Sequence, residues 1–340
     1  MKVKRALSYD DVLLVPQYSE VVSRKEVNLG IKLKNFPELL IPIVASPMDT
    51  ITGGRMAATI SEYGGVGIIH RYSSIEEQVA EVEKAAKLGA ERIGAGVGIT
   101  GDFAKRAKAV HRAGANLICV DVAHGHHCLM RHALKVLRNT IGNSAHIMAG
   151  NIATRVGLDH LAEWGADSVR VGIGGGSICS TRIQTGHGVP TFQSILDCSS
   201  TANDVSIIAD GGIKNSGDIV KALAAGADAV MIGSLLAGTP ETPGEYYRNE
   251  KGDRYKVYRG MASKEAQIKW RGHYSSVEGV TTTVQGKPEA RHVLYELEAG
   301  IRSGLSYSGS LSILDLQRKA IFIEQSHAGS IESATHIFNL

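Results

Sequence analysis

The amino-acid sequence predicts an α/β protein: a (β/α)8 TIM barrel with a β-hairpin and a short flap after the eighth strand and a C-terminal helical tail. The main indication is a helical stretch that ends in Gly-Ala before a short apolar run. This pattern occurs four times, at Gly89, Gly114, Gly165 and Gly226. Glycine just past a helix end supplies the left-handed backbone conformation that stops the helix. The length of 340 residues, 43% of them hydrophobic, suits a barrel with a sizeable core.

Eight short apolar runs are predicted to form the barrel strands. Each run is typical of a strand buried on both faces of a parallel sheet, and helical stretches such as 75–88 and 217–225 fill most of the gaps. An open Rossmann-like sheet is the alternative, but no G-x-G-x-x-G motif opens a helix after the first strand. We therefore expect a single barrel domain over residues 1–340, with strands at 41–46, 65–70, 92–96, 117–121, 146–150, 168–172, 205–210 and 229–233.

Smaller elements are predicted after the eighth strand. Residues 246–261 are charged and rich in tyrosine, with a turn-like segment at 249–253 between two short extended arms, which predicts a β-hairpin. We expect residues 262–280 to form a polar loop and the remainder to form a helical tail.

Composition excludes several classes of function. The net charge is only +3 and no block of Lys or Arg stands out, so neither nucleic-acid nor membrane-surface binding is expected. No apolar run approaches the ~20 residues that a membrane span needs. The four cysteines show no C-x-x-C spacing, and the N-terminus turns acidic too soon for a secretory signal. Free thiols without such a signal predict a cytoplasmic protein.

In a (β/α)8 barrel the chemistry lies at the carboxyl ends of the strands. The glycines that follow the seventh and eighth predicted strands suit a phosphate group. Residue types that suit a binding site follow most of the predicted strands: Ser46 to Asp49, His70 and Arg71, Asp121 to His126, Gly150 and Asn151, Gly172 to Arg182, Asp210 to Gly212, and Gly233 with Ser234.

The segment from Gly172 to Arg182 carries the most specific chemistry. It places Cys179 directly after a run of glycines whose backbone N–H groups are free to point at an anion. A nucleophile beside a phosphate cradle indicates covalent chemistry on a phosphorylated substrate. We expect Arg182 to lie near Cys179 and to favour its thiolate form. The alternative is a flexible glycine-rich loop that holds a passive thiol.

Three other features have two interpretations each. Asp210 would either make a turn or accept hydrogen bonds from ribose hydroxyls, and Thr181 would either cap a helix or take part in the site. The histidines His124, His126 and His127 invite a metal interpretation. They lack i, i+4 spacing and a further ligand nearby, so we expect no metal there.

Six segments, in chain order, resemble the IMP dehydrogenase/GMP reductase family, and together they extend over almost the whole chain. The resemblance implies a purine-nucleotide oxidoreductase on a (β/α)8 barrel, usually a homotetramer. The segments are Tyr9–Pro16, Ser46–Thr50, Gly150–Thr154, Gly176–Cys179, Ala209–Ile213 and Tyr258–Met261.

The resemblance also implies roles for individual residues. Cys179 would attack C2 of the purine and form a covalent thioimidate, with Thr181 and Glu278 as a proton relay. Asp210 would hold the ribose, Met48 would pack on the base, and the 5′-phosphate would be held by Ser177, Gly212, Gly233 and Ser234. The remaining expected substrate contacts are Met261, Ser46, Gly211, Tyr258, Gly260, Ala262 and Arg71.

A nicotinamide cofactor and a potassium ion are implied in the same way. The cofactor would be NADPH, with NAD as the alternative, and its expected contacts are Asp121, Ala123 and Asn151. Potassium would be bound by the main-chain carbonyls of Gly174, Gly176 and Cys179, although Gly175 stands where a proline is usual in the family.

The reductase branch of the family matches this chain better than the dehydrogenase branch. Between His70 and Ile93 there is room for one helix and not for the regulatory domain that the dehydrogenase normally has inserted there. The flap is short, Arg271 and Tyr274 are not adjacent as in the dehydrogenase, and Glu278 with the following glycine resembles the reductase acid. We therefore predict NADPH-dependent conversion of GMP to IMP and ammonia.

Three alternatives stay open from the sequence. The first is an IMP dehydrogenase that oxidises IMP to XMP with NAD. The second is a nucleotide-binding protein on an inactive barrel, which the presence of Cys179, Thr181 and Glu278 disfavours. The third is a relative that acts on a modified purine nucleotide.

Overall fold

Eight parallel strands close into a barrel in the computed structural model, which describes residues 3–333. The last barrel strand pairs with the first, with Ala45 opposite Ile232. All eight predicted strands are confirmed, and their bounds differ from the prediction by at most two residues. The strands are β1 (Val12–Leu14), β2 (Ile43–Ala45), β3 (Val66–Ile69), β4 (Ile93–Val97), β5 (Leu117–Asp121), β6 (His146–Ile152), β7 (Ser168–Val171), β8 (Ser206–Asp210), β9 (Ala229–Ile232), β10 (Tyr247–Arg248), β11 (Arg254–Arg259), β12 (Thr281–Gln285) and β13 (Phe322–Glu324), of which β2 to β9 form the barrel.

Helices connect the barrel strands and cover their outer faces. The four predicted helix-ending glycines, Gly89, Gly114, Gly165 and Gly226, all have left-handed φ values, between +85° and +120°. The helices are α1 (Gly54–Glu62), α2 (Ile75–Lys87), α3 (Phe103–Arg112), α4 (Cys128–Ile141), α5 (Arg155–Glu163), α6 (Thr181–Thr185), α7 (Thr191–Ser199), α8 (Ser216–Ala224), α9 (Lys264–Arg271), α10 (Ala290–Tyr307), α11 (Ile313–Lys319) and α12 (His327–Glu332).

The hydrophobic core consists of two layers separated by the barrel wall. Side chains such as Val44, Leu117, Met148 and Ile208 fill the barrel interior and are fully buried. A larger cluster packs the outer faces of the strands against the helices. Because the interior is filled with side chains, a ligand site is left only at the strand ends and their loops.

The region after β9 contains more regular structure than predicted. The expected hairpin is formed by β10 and β11, and β12 adds a third antiparallel strand, with Val257 opposite Thr283. The predicted polar loop is wrong for residues 264–271, which form α9. Ser263 caps this helix by accepting a bond from the Ala266 N–H, and Gly272 ends it with a φ of +74°. Two turns are too short for a clear 3.6-residue period, so only these end signals could have revealed the helix.

The C-terminal tail is helical as predicted in α10, α11 and α12, but it also contributes the strand β13. This strand pairs antiparallel with β1, with Val12 opposite Glu324. Residues 334–340 of the predicted tail lie outside the described residues. In the described part of the chain, no helix is both long and apolar enough to cross a membrane. That residues 1–340 form a single domain stays a prediction.

Candidate active site

A cavity of about 320 Å³ lies at the carboxyl ends of the barrel strands. The loops after β2, β7, β8 and β9 and the strand β11 supply its walls. The barrel topology therefore brings together ten of the predicted substrate and metal residues: Ser46, Met48, Gly176, Ser177, Asp210, Gly211, Gly212, Gly233, Ser234 and Tyr258.

Two glycine-rich loops lie against each other in this cavity. A Cβ atom on Gly211 would lie 2.9 Å from the carbonyl carbon of Gly175 and 3.0 Å from the nitrogen of Gly176. Gly211 also has a φ of +96°, so a larger residue there would be both crowded and strained. The N–H groups of Gly176, Ser177 and Gly212 donate to no acceptor within residues 3–333. Unpaired N–H groups that converge in a loop are suited to bind an anion.

The opposite wall of the cavity is closely packed. A Cβ atom on Gly233 would lie 2.8 Å from Ser46 Oγ and 3.3 Å from Met48 Sδ. The hydroxyl of Tyr258 lies 3.2 Å from Ser177 Oγ. Burial raises the pKa of Tyr258, so its hydroxyl stays protonated at neutral pH and remains a hydrogen-bond donor.

Three predicted catalytic residues form one hydrogen-bonded chain. The half-buried Cys179 donates from Sγ to Thr181 Oγ1 at 3.2 Å, and Thr181 Oγ1 donates to Glu278 Oε2 at 2.8 Å. The other Glu278 carboxylate oxygen lies 3.3 Å from Ser276 Oγ. A thiol, a hydroxyl and a carboxylate in this order can pass a proton in either direction.

Backbone hydrogen bonds join the Cys179 loop to the flap that carries Glu278. The Ser180 N–H donates to the Glu278 carbonyl at 2.9 Å, and the Val280 N–H donates to the Ile178 carbonyl at 3.0 Å. Cys179 and Gly279 lie opposite each other in this short antiparallel bridge. The bridge places the flap acid beside the thiol.

Arg170 is a central residue of the site that the sequence analysis missed. Its guanidinium lies inside the barrel and pairs with Asp121 at 2.6 Å and with Asp210 at 2.9 Å. Burial disfavours its charge, but Asp210, Cys119 and Asp121 raise the pKa of Arg170 well above its usual value. A charged residue in the middle of the apolar run of β7 was the signal that could have found it.

The predicted cofactor residues lie around this arginine. Asp121 pairs with Arg170 and lies 3.9 Å from the Arg71 guanidinium, while Ala123 is exposed on the following loop. Asn151 donates from Nδ2 to Asp210 at 2.7 Å and to the Gly172 carbonyl at 2.8 Å. Asn151 therefore orients Asp210, and its role toward a cofactor stays a prediction.

The segment after β11 lies against the loop after β2. Met261 Sδ accepts a 3.3 Å bond from the Asp49 N–H, and the Asp49 carboxylate forms a buried ion pair with Arg259. The adjacent Gly260 and Ala262 bond to the flap through their backbones. This segment therefore connects the flap to the barrel rim.

The structure shows which groups the Arg182 side chain contacts. The Arg182 side chain packs over Gly174 and Gly188, where no Cβ obstructs it, and Nη2 donates to the Val189 carbonyl at 2.7 Å. Among residues 3–333, no hydrogen bond joins it to Cys179. Arg182 thus holds the end of the glycine loop through its bond to the Val189 carbonyl, and its effect on the Cys179 thiolate stays a prediction.

The sequence comparison identifies the family of this chain. A family model described as "IMP dehydrogenase / GMP reductase domain" matches residues 6–336. The chain belongs to the IMP dehydrogenase/GMP reductase family. It is therefore an enzyme of the NAD- or NADPH-dependent oxidoreductases that act on purine nucleotides. The six motifs quoted above had predicted this membership.

Both branches of the family are among the relatives. An inosine-5′-monophosphate dehydrogenase of Cryptosporidium parvum is 38% identical, with 98% of this chain and 96% of that protein covered. A GMP reductase of Leishmania donovani is 33% identical, with 97% and 96% covered. A solved structure of a cysteine-to-alanine GMP reductase from Trypanosoma brucei, in complex with guanosine 5′-monophosphate, has a TM-score of 0.92 at 31% identity and 98% coverage of each chain.

Asp121 and Ala123, two of the predicted cofactor residues, lie close together at the end of β5. The Asp121 carboxylate is partly buried and is held in place by Arg170, and Ala123 is exposed two residues further on. The histidines His124, His126 and His127 follow on that loop, and His126 Nε2 lies 2.8 Å from His160 Nδ1. In the described part of the chain, no three His, Cys, Asp or Glu side chains are grouped so as to hold a metal ion.

Proposed function

We propose that this protein is a GMP reductase, which converts GMP to IMP and ammonia with NADPH through a covalent bond between Cys179 and C2 of the purine. The observation that carries the proposal is the chain from Cys179 through Thr181 to Glu278, with links of 3.2 Å and 2.8 Å. A carboxylic acid beside the thiol suits a reaction that must protonate a leaving amine.

The direction of the two hydrogen bonds suggests the order of proton transfers. The Cys179 thiol gives its proton through Thr181 to Glu278, and the thiolate adds to C2 of GMP. Glu278 returns the proton to the 2-amino group, the C2–N bond breaks, and ammonia leaves the thioimidate. A hydride delivered to C2 would then break the C–S bond and release IMP, and a proton from solvent would return the Cys179 thiolate to the starting thiol.

The cavity at the strand ends is suited to hold the nucleotide. Ser177, Gly212, Gly233 and Ser234 would bind the 5′-phosphate through the unpaired N–H groups and hydroxyls at the glycine loops. Asp210 would bind the ribose, since Arg170 and Asn151 fix one of its carboxylate oxygens and leave the other facing the cavity. Base contacts would come from Ser46, Met48, Gly211, Tyr258, Gly260, Met261 and Ala262.

NADPH, when bound, supplies the hydride for this reaction. Asp121 would accept a hydrogen bond from the cofactor at a carboxylate that Arg170 keeps oriented. Arg71, which lies 3.9 Å from Asp121, would add a positive charge at the same place, and Ala123 and Asn151 would border it.

A potassium site at Gly174, Gly176 and Cys179 is part of the proposal. The carbonyls of Gly174 and Cys179 accept no hydrogen bond within the described residues, and the Gly176 carbonyl accepts one from the Cys179 N–H at 3.1 Å. Oxygen ligands of this kind suit a hard monovalent cation. Turnover in potassium buffer and in lithium buffer at equal ionic strength tests this site; equal rates would exclude it.

The flap residues favour the reductase over the dehydrogenase. Arg271 donates to Gln267 Oε1 at 3.1 Å, and Tyr274 lies under the Lys264 ammonium at 4.8 Å. Neither side chain bonds to Cys179, Thr181 or Glu278 among residues 3–333. The acid position beside the thiol is held by Glu278 alone.

The deciding experiment follows absorbance at 340 nm in two reactions. One contains GMP and NADPH, and the other contains IMP, NAD and potassium. We expect absorbance to fall in the first, with one ammonia released per NADPH consumed. A rise in the second reaction alone would establish IMP dehydrogenase instead, and no change in either would exclude both activities.

The homotetramer and the cytoplasmic location implied by the family stay predictions for this chain. Light scattering of the purified protein measures the first, since a tetramer has four times the chain mass of 36.2 kDa.

A further inference from the structure

Two buried hydroxyl groups at one end of the cavity have no hydrogen-bond partner. Tyr9 is 3% exposed and Thr191 is 4% exposed, and both line the cavity. Neither hydroxyl is bonded to any group of residues 3–333. Leaving a buried hydroxyl unpaired is unfavourable, so such a group in a cavity points to a ligand that pairs with it.

Both side chains lie at the glycine loops that are suited to an anion. The Tyr9 ring is 3.4 Å from the Cβ position of Gly212. Thr191 Oγ1 is 2.5 Å from the Cβ position of Gly175 and 3.8 Å from that of Gly212. Because the Gly212 N–H is itself unpaired among residues 3–333, the residues that line this part of the cavity carry two hydroxyls and one N–H without a partner.

The N-terminal segment holds Tyr9 firmly in this position. Tyr9 begins a 3₁₀ turn that ends at Asp11, and Lys221 Nζ donates to the Tyr9 carbonyl at 2.8 Å. The Tyr9 ring packs edge-on against Phe192, with ring centroids 6.0 Å apart. Phe192 directly follows Thr191 in α7, so both hydroxyls rest on one packed unit.

The electrostatics allow the two groups to donate hydrogen bonds but not to carry charge. Burial, together with Asp218 and Asp210, raises the pKa of Tyr9, so the phenol keeps its proton throughout the physiological range. A ligand with several acceptor oxygens and no donors fits two neutral hydroxyls beside free N–H groups. A phosphate dianion has that chemistry.

We propose that Tyr9 and Thr191 donate hydrogen bonds to the phosphate of a nucleoside 5′-monophosphate, which makes the N-terminal segment part of the phosphate cradle. This inference rests on the nucleotide site of the proposed function. Tyr9 and Thr191, which lie outside the glycine loops, would thus contact the phosphate group that a nucleotide has and its nucleoside lacks.

The test compares Tyr9→Phe and Thr191→Val with two surface controls, Tyr295→Phe and Thr140→Val. Dissociation constants for GMP, IMP and guanosine are measured by calorimetry without cofactor, together with the melting temperature of each unliganded protein. We expect each cavity variant to weaken binding of GMP and IMP about tenfold. Binding of guanosine should not change, and the controls should match the wild type.

The melting temperatures separate this role from a structural one. Removing an unpaired buried hydroxyl should leave the unliganded protein as stable as the wild type or more stable. Unchanged affinity for GMP and IMP in both variants would overturn the inference, and so would an equal loss for guanosine or a drop in melting temperature. If the wild type binds GMP or IMP but turns over neither, the proposed function is overturned. The dissociation constants of the two cavity variants then still show whether Tyr9 and Thr191 bind the phosphate. If it binds neither nucleotide, both proposals are overturned.

Discussion

Thr181 Oγ1 donates a 2.8 Å hydrogen bond to Glu278 Oε2 across 97 residues of chain. Thr181 begins α6 on the Cys179 loop, whereas Glu278 lies on the flap between α9 and β12. The backbone bridge between residues 178–180 and 278–280 sets this distance. The acid and the nucleophile therefore come from two loops, and the proposed chemistry depends on the contact between them.

Replacing Glu278 by glutamine should stop proton delivery while it preserves the size of the side chain. We expect turnover of GMP to fall about 10²-fold or more, since an amide cannot supply the proton. The GMP dissociation constant should stay within about threefold of the wild type. Glu265→Gln on α9 is the matched control. Full turnover in Glu278→Gln would remove Glu278 from the mechanism.

Cys179→Ala should abolish turnover and retain nucleotide binding, because the covalent step needs the thiolate but the phosphate cradle does not. Absorbance at 340 nm and calorimetry measure the two properties. Cys128→Ala, at an exposed thiol, is the control and should keep full activity. Residual turnover above about one per cent of the wild type in Cys179→Ala would contradict covalent catalysis.

Arg170→Lys should raise KM for both GMP and NADPH. Lysine keeps the positive charge but has a single nitrogen, whereas the guanidinium bonds to Asp121 through one nitrogen and to Asp210 through another. We expect increases of about fivefold or more for each substrate. Arg138→Lys, at an ion pair with Asp167 on the outer face, should change stability but neither KM. An effect of Arg170→Lys on only one KM would show that the arginine does not link the two subsites.

Trp270→Leu should loosen the flap. Trp270 lies in the last turn of α9 and stacks on Tyr72 with centroids 5.5 Å apart, and the Arg106 guanidinium lies 5.6 Å from its ring. Loss of this stack should lower kcat about three- to tenfold by letting Glu278 move away from Thr181. Trp164→Leu, at a tryptophan that follows α5 and stacks on His160, is the comparison variant. A changed KM with unchanged kcat in Trp270→Leu would argue against this flap role.

The stability of the protein should fall in mild acid, in part because of His146. This histidine is fully buried between the Lys34 carbonyl at 2.6 Å and Ser168 Oγ at 2.7 Å, and burial lowers its pKa. Below about pH 6.5, His146 binds a proton in the unfolded chain but not in the folded protein. The free energy of unfolding therefore falls there by about 1 kcal/mol per pH unit.

Urea unfolding at pH 7.5 and pH 5.5 measures this effect. The loss of unfolding free energy between the two pH values should be smaller in His146→Gln than in the wild type. His187→Gln, at an exposed histidine, should retain the wild-type difference. An identical pH dependence in His146→Gln would assign the acid sensitivity to other groups.

Much of the architecture was predictable because it depends on local chemistry. The Gly-Ala helix ends at Gly89, Gly114, Gly165 and Gly226 mark four of the helix-to-strand connections, and eight short apolar runs mark strands buried on both faces. In contrast, α9 and the pairing of β1 with β13 were missed. The first is too short for a period, and the second joins residues about 310 positions apart, a contact that no local pattern encodes.

The sequence by itself determined the barrel, the glycine loops and Cys179 as a candidate nucleophile, because each follows from residue type and position relative to a strand end. The roles of Thr181 and Glu278 were implied by the family resemblance and not by residue type or position. Only the tertiary structure decided that Arg170 orients Asp121 and Asp210, that Arg182 bonds to the Val189 carbonyl, and that Tyr9 and Thr191 line the cavity. These are relations of distance and direction between side chains from different loops. They depend on how the closed barrel places its strand ends, which the order of residues along the chain does not specify.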